Sequence, residues 1–383
     1  MNLKRLRLQD YRNYAQLDLT ALGPLNIFVG ENAQGKSNLL EAIYVLATGR
    51  SHRGAREGEL IRWGAAEASV LGVVGRQTGD TQLELAIRAA GPKRLTVNGK
   101  GRRLTDLFGV AATVVFSPDD LRLVKGPPDE RRRFLDLEIA QVSAVYRHHL
   151  VRYHKILRQR NTLLRAIAAG EADVARLAEW DPQLLESGVE IIIQRARAVR
   201  RLSELAGAAH RAISAQKEAL ELRYVPFWEV GEGARGQKRR ASALELEERA
   251  VVRPIYAEEL KRLRRVETIR GSTLCGPHRD DLEFVINGVD ARRFGSQGQQ
   301  RSAVLAAKLG EVAFMREELG EPPMLLLDDV LSELDAGRRH QFVEQVSGRV
   351  QTFITTAYLA GFPEALLAGA TRFRIAAGRV TAE

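Results

Sequence analysis

The octapeptide Gly30-Glu31-Asn32-Ala33-Gln34-Gly35-Lys36-Ser37 constrains this chain more than any other segment. It fits the pattern G-x-x-x-x-G-K-[ST] at every fixed position, and its surroundings fit as well. The apolar run Leu25 to Val29 enters it as a buried strand, and Asn38 to Leu46 leaves it with helical spacing. A strand, a glycine-rich turn and a helix N-terminus in this order direct backbone N–H groups toward a phosphate. Within that cradle Lys36 is placed to reach the β and γ phosphates of a nucleoside triphosphate, and the Ser37 hydroxyl to ligate Mg²⁺. Glu31, Asn32, Ala33, Gln34 and Gly35 contribute backbone to the same cradle. ATP with Mg²⁺ is the expected ligand.

A nucleotide loop of this kind needs a partner for the cation. Met324-Leu325-Leu326-Leu327-Asp328-Asp329 is an apolar strand that ends in two acids. Carboxylates there are costly unless they meet a cation. Asp328 is therefore the expected Mg²⁺ partner, and Asp329 the group that orients or deprotonates water. Some thirty residues upstream, Phe294-Gly295-Ser296-Gln297-Gly298-Gln299-Gln300-Arg301 precedes an apolar helical stretch, and Val330-Leu331-Ser332-Glu333-Leu334-Asp335 follows the acids. By itself the Ser296 turn reads as a capped helix or an anion site.

Taken together, these segments resemble the ATP-binding-cassette ATPase head shared by transporters, SMC proteins and DNA-repair ATPases. The resemblance implies an α/β P-loop head in which Ser296, Gly298 and Gln299 form the signature turn. In that family the turn binds the γ phosphate of ATP held by a second protomer, and Ser332 to Asp335 resembles the loop at the same seam. A narrower resemblance, to the RecF family of DNA recombination and repair proteins, rests on segments spread over nearly the whole chain. They are Leu8 to Tyr14, Ser117 to Pro127, Arg131 to Asp136 and Gly276 to Leu282. It implies a clamp that acts on single-stranded, duplex or gapped DNA in recombinational repair, replication restart and SOS induction, with RecO and RecR as partners. The signature turn implies an ATP-dependent homodimer, and the departures below agree with slow hydrolysis. An SMC-like head with another DNA role and a transporter energy-coupling ATPase are the alternatives. The chain departs from the general cassette pattern at several points. Asp329 stands where transporters usually carry glutamate, Gln297 replaces the first signature glycine, and Thr355-Thr356-Ala357-Tyr358 lacks a switch histidine. No glutamine matches the Q-loop, whose place falls to Ser117 to Asp120.

The rest of the chain is consistent with an insertion into such a head. Alternating segments from Ser69 to Val97, with the turn signal Asn98-Gly99, predict an antiparallel β-subdomain. After Pro127-Pro128, apolar positions at Leu135, Ile139, Val142, Tyr146, Tyr153, Ile156, Leu163 and Ile167 step by three and four, with His149 and Arg160 as polar exceptions. Ile192, Val199, Ala206, Ile213 and Leu220 then recur at steps of seven. This predicts two helices in an antiparallel hairpin, either a bundle or a short coiled-coil arm, and Gly231 to Arg240 as a polar loop. The expected division is a head half at 1–130, a helical arm at 131–265 and a second head half at 266–383.

Composition narrows the setting. The formal charge of +10 favours a polyanionic partner. Arg131 to Arg133, the Arg50, His52, Arg53 and Arg56 stretch, Lys238 to Arg240, and Lys261 to Arg265 are the candidate contacts, each weighed against local ion pairs or a solvated face. One cysteine, Cys275, excludes an intrachain disulfide and points to a reducing compartment. Neither a secretory h-region nor a run of about 18 apolar residues is present, so a cytoplasmic protein without a membrane span is expected.

Overall fold

The computed structural model describes residues 1–383 except 229, 233–237, 240–241, 331–347, 360–361 and 363. Along the chain, β1 (Asn2–Tyr11) and β2 (Tyr14–Leu19) precede β3 (Leu25–Val29) and α1 (Lys36–Thr48). Next come β4 (Glu67–Arg76), β5 (Gly79–Arg88), β6 (Arg94–Val97), β7 (Lys100–Arg102) and β8 (Thr113–Phe116). The helices α2 (Arg122–Lys125), α3 (Pro128–Val142), α4 (Ala144–Ala168) and α5 (Asp181–Ile213) follow. They lead to β9 (Leu220–Val225), β10 (Val230–Glu232), β11 (Lys238–Arg239) and α6 (Arg249–Arg270). Then come β12 (Asp281–Ile286), β13 (Val289–Asp290), α7 (Ala291–Phe294) and α8 (Gln297–Leu319). The chain ends through β14 (Met324–Asp328), β15 (Thr352–Thr356), β16 (Thr371–Ala376) and β17 (Arg379–Ala382). Two compact units result, one from Met1–Asp120 with Glu311–Glu383 and one from Leu121–Gly310.

The first unit is α/β and carries two sheets. Its core sheet has the order β17-β16-β3-β15-β14-β8, parallel except for the antiparallel edge β17. Strands covered on both faces read as mainly apolar runs, and Thr113–Phe116 and Met324–Asp328 are entirely buried with Thr113 and Asp328 as their polar members. The other sheet, β2-β1-β4-β5-β6-β7, is antiparallel and alternates buried and exposed residues, as a sheet with one wet face does. It is the antiparallel β-subdomain, and Asn98-Gly99 forms the β6–β7 turn with φ of 49° and 75°. Helix α1 packs against strands of both sheets. The approach is close enough that a Cβ at Gly72 would collide with Leu46.

The second unit is mainly helical around the small sheet β13-β12-β9. Helix α5 packs on α4, α6, α3 and β9, so bundle packing rather than a lone coiled-coil pair organises it. The long stretch after Pro128 is two helices and not one. Ser143 leaves helical geometry at φ −116° and ψ 112°, and its hydroxyl accepts from Tyr146 N to cap α4. The seven-residue spacing that runs on to Leu220 also overshoots the second helix. α5 ends at Ile213, Ala215 and Gln216 take positive φ, and Leu220 is buried in β9. Spacing alone cannot separate a helical core position from a strand position once the chain has turned. The described part of the Gly231 to Arg240 loop pairs as the β10–β11 hairpin.

Arg160 shows what the polar exception in the seam is for. Its side chain is fully buried and donates to Asp181, Thr273 and Glu267 at 2.9, 2.8 and 2.6 Å, tying α4 to the start of α5 and the end of α6. The segment Gly276-Pro277-His278-Arg279-Asp280-Asp281 plays a similar part. A Cβ at Gly276, whose φ is 128°, would collide with the Tyr153 and Tyr256 hydroxyls. Arg195 donates to Pro277 O at 2.7 Å and to Asp136. Burial pushes Asp280 up to about 6, against the pull of Arg195.

His278 in this network is held neutral. Tyr153 Oη donates to Nδ1 at 2.6 Å, and Nε2–H donates to Thr273 O at 3.2 Å. Burial lowers its pKa to about 4. Between the ordinary value near 6.5 and about 4, the unfolded chain binds a proton that the folded chain does not. The contribution of His278 to stability therefore falls as pH drops through that window. The raised Asp280 acts in the opposite sense, because there the folded chain binds the extra proton. The difference between wild type and His278→Gln isolates the histidine: relative to wild type, the variant should gain stability on going from pH 6.5 to 4, by roughly 3 kcal/mol. Denaturant melts of both proteins across this range measure it; parallel curves would refute the assignment.

Candidate nucleotide site

The loop from Gly30 to Gly35 joins β3 to α1, and α1 begins at Lys36 itself. Two backbone positions explain its residue types. Gly35 has φ 115°, and a Cβ there would collide with the Asn13 carboxamide; a Cβ at Gly30 would collide with Ile375 O. Ala33 also takes a left-handed φ of 64°. The loop is braced from outside itself. Asn13 Nδ2 donates to Gln34 O at 2.9 Å, Ala377 N donates to Gln34 Oε1 at 2.6 Å, and Tyr14 Oη donates to Gly35 O at 2.9 Å. Glu31, Asn32 and Ala33 remain exposed.

Lys36 lies within the loop it is expected to serve. Its Nζ donates to Gly30 O at 2.6 Å and Glu31 O at 2.8 Å, which leaves a third N–H for an anion. Burial lowers its pKa, while the charges of Asp329 and Asp328 oppose that shift. Both acids therefore act on the ammonium although they arrive from β14, nearly three hundred residues away in sequence.

Ser37 and Asp328 are brought together directly, Oγ donating to Oδ1 at 2.8 Å. Thr355, on the neighbouring strand β15, donates to the same Oδ1 at 2.8 Å and accepts from Asp329 N at 3.1 Å. Asp329 stands just past β14 with φ 55°, a left-handed conformation that aspartate tolerates better than most residues. A hydroxyl and a carboxylate at the edge of a lysine-bearing loop make a hard-oxygen donor set, which suits Mg²⁺.

Several residues of this site were not singled out from the sequence. Asn13, in the β1–β2 turn, also accepts from Asn38 Nδ2 at 2.9 Å. Arg12 makes a two-pronged pair with the buried Glu41 of α1, 2.8 Å on each arm, and Ser51 donates to the same carboxylate at 2.5 Å. Arg12 and Ser51 together hold that carboxyl below its ordinary range against the opposing cost of burial. The available signal was the Leu8 to Tyr14 segment, which carried the RecF resemblance as a block without giving Arg12 or Asn13 a role. Ser117 to Asp120 follows β8 at the end of the sheet that carries Asp328. Ser117 N donates to Asp120 Oδ2 at 2.7 Å, closing a turn.

Ser296, Gly298 and Gln299 belong to the second unit. Ser296 N donates to Gln299 Oε1 at 2.9 Å and Gln299 N donates to Ser296 Oγ at 3.2 Å, a reciprocal cap on α8. Gln299 Nε2 donates on to Glu218 at 2.9 Å. Ser296 and Gln297 are exposed, and Gly298 is half-buried. The segment Ser332 to Asp335 lies outside the described residues.

The basic clusters divide. Arg131 is buried and binds Asp281 through two bonds at 2.7 and 2.9 Å, and Arg132 donates to Asp280 O. Their partners are thus not neighbours on α3 but Asp281, the first residue of β12, and Asp280 just before it. Arg262 pairs with Glu259 on its own helix. Arg50, Arg53 and Arg56 are exposed. Lys238 to Arg240 lies partly outside the described residues.

The family described as RecF/RecN/SMC N terminal domain matches residues 2–365. A protein of Symbiobacterium thermophilum named DNA replication and repair protein RecF is 48% identical over 356 residues, covering 93% of this chain and 91% of its own length. This chain belongs to the RecF family. A RecF of Bacillus pumilus is 42% identical over 381 residues, covering 99% of this chain and all of its own. Among solved structures, the recombination mediator protein RecF with ATP, of the RecFOR pathway, superposes with a TM-score of 0.88. It is 33% identical and covers 100% of this chain and 97% of its own. The Smc head domain of Pyrococcus furiosus, at 15% identity and a TM-score of 0.53, shares the fold.

Proposed function

We propose that this chain is a RecF-type ATPase of DNA replication and repair that binds ATP in the Gly30–Ser37 loop and, so loaded, pairs with a second copy to hold DNA at gaps. The observation that carries this reading is the junction of Ser37 with Asp328 at 2.8 Å, beside a lysine whose ammonium lines the same loop. That arrangement is made for a polyphosphate with a divalent cation. Ser37 and Asp328 are the residues that would hold Mg²⁺, which when bound supplies positive charge against the β and γ phosphates. Lys36 neutralises the same phosphates from the side of the loop. Thr355 holds the Asp328 carboxylate and the Asp329 backbone, which supports Asp329 as the group that takes a proton from water. The RecF neighbour bound to ATP and placed in the RecFOR pathway supports the ligand and suggests RecO and RecR as partners. Among the described residues no helix is long and apolar enough to cross a membrane, and a cytoplasmic location suits a DNA-repair role.

DNA binding to duplex, single-stranded and gapped substrates, with ATP, with ADP and without nucleotide, tests the reading. Affinity that does not depend on ATP refutes the clamp. Within the site, Asp329→Asn should bind ATP as the wild type does but turn it over about 100-fold more slowly, the size typical of losing a general base. Single-turnover hydrolysis measures this, and a wild-type rate would remove Asp329 from the chemistry.

A further inference from the structure

Trp63 is 99% exposed, a rare setting for the largest apolar side chain. It stands at the tip of a turn closed by Ala65 N donating to Arg62 O at 3.0 Å, with Gly64 at φ 85°. The turn is not loose. Arg62 N donates to Asp10 O at 2.8 Å, Ile61 bridges to Tyr11, and Arg12 reaches Leu60 O by its backbone and Glu59 O by its guanidinium. The backbone that carries the indole is thus fixed, and the ring itself stands free in solvent.

The segment leading to it is basic. Arg50, Arg53 and Arg56 are exposed, Arg53 also donating to Asn38 Oδ1 at 3.1 Å, while the exposed Arg62 pairs with Asp10 at 3.5 Å; the acids among them are engaged, Glu57 with Lys93 at 2.8 Å and Glu59 on Arg56 N at 3.1 Å. Exposed guanidinium groups on the segment that leads to an exposed aromatic ring supply the two kinds of contact that unpaired nucleotides take. The charges follow the phosphates and the ring receives a base.

We propose that Trp63 is a stacking platform for an unpaired base, with Arg50, Arg53 and Arg56 as contacts to the flanking phosphates. This rests on the DNA-binding reading above and adds to it that single-stranded DNA is sensed by this loop. Duplex bases are already stacked, so the ring discriminates between the two forms.

Binding is measured with ATP and Mg²⁺ at fixed salt for wild type, Trp63→Ala and Trp63→Phe. The probes are oligo-dT, an abasic strand of equal length and a blunt duplex. Trp63→Ala should weaken oligo-dT binding about 10-fold and Trp63→Phe by less than about threefold, the range expected for one stacked base. On the abasic strand and the duplex, Trp63→Ala should stay within about twofold of wild type. The emission that wild type shows in excess of Trp63→Phe should be quenched as oligo-dT saturates. Melting temperatures should match, since a fully exposed ring loses no packing. If the wild type binds oligo-dT and Trp63→Ala binds it equally well, this inference fails while the DNA reading stands; Trp63 then serves a protein partner. Equal losses on all three probes also overturn it, because a contact that ignores bases is not stacking. A wild type that does not bind oligo-dT overturns this inference, and one that also fails on gapped DNA sinks the DNA reading with it.

Discussion

Lys36→Ala should lose ATP affinity by about 10- to 150-fold, the equivalent of roughly 1.5–3 kcal/mol for a hydrogen bond to a charged group. Its Nζ spans the loop from Gly30 O to Glu31 O, so the residue both positions the loop and supplies its fixed side-chain charge. Removing it leaves backbone N–H groups that can still approach a phosphate but cannot neutralise it. Lys36→Arg separates the two roles. A guanidinium keeps the charge, yet its planar fork fits a point-charge site badly, so binding should be retained in part and hydrolysis should fail. Equilibrium titration with a slowly hydrolysed ATP analogue reads the affinities. Unchanged affinity in the alanine variant would overturn the site. The variant should fold normally, because the braces on the loop from Asn13, Tyr14 and Ala377 do not involve Lys36.

What could be read in the sequence follows from how local each signal is. The Gly30–Ser37 octapeptide is contiguous and its glycines answer to backbone geometry, so it was fully legible. Asp328 was legible only in combination, because an apolar strand ending in acids gains meaning from the loop it serves. The residues that were missed act across long sequence separations. Thr355 reaches Asp328 from the adjacent strand, and Asn13 reaches Gln34 from a hairpin turn. Neither has a side chain that announces such a role. The helical unit shows the same limit. Spacing located the buried positions Leu135, Ile139, Tyr146, Tyr153, Ile156, Arg160 and Leu163, with Val142 and His149 only half-buried, but not the break at Ser143, since the seam keeps its phase on either side of the cap. Arg131 to Arg133 looked like a surface cluster with local partners, and only the fold places Asp281 against it.

Ser296→Arg should bind ATP as the wild type does yet fail to dimerise. If the signature turn meets nucleotide only across a seam, each ATP touches Lys36 of one protomer and Ser296 of the other. Nucleotide is then what joins the two copies. The wild type should be monomeric alone, dimeric with ATP and Mg²⁺, and monomeric again with ADP, which lacks the bridging phosphate. The geometry of the turn sharpens the choice of control. Ser296 and Gln299 cap α8 reciprocally, so any replacement that removes the hydroxyl also costs about 1 kcal/mol of helix stability. Ser296→Thr keeps the hydroxyl and the cap, and should still dimerise. Ser296→Ala loses the cap without adding bulk or charge, so it separates a frayed helix from a blocked seam. Sedimentation at matched protein concentration, with and without a slowly hydrolysed analogue, reads all four proteins. DNA binding that depends on ATP should fail in Ser296→Arg alone or most severely, because a single head cannot close around a strand. A wild type that stays monomeric with nucleotide saturating, or a Ser296→Arg protein that dimerises normally, would withdraw the shared site. Lys36 and Asp328 would then serve a self-contained ATPase, and ATP would have to act on DNA binding within one protomer.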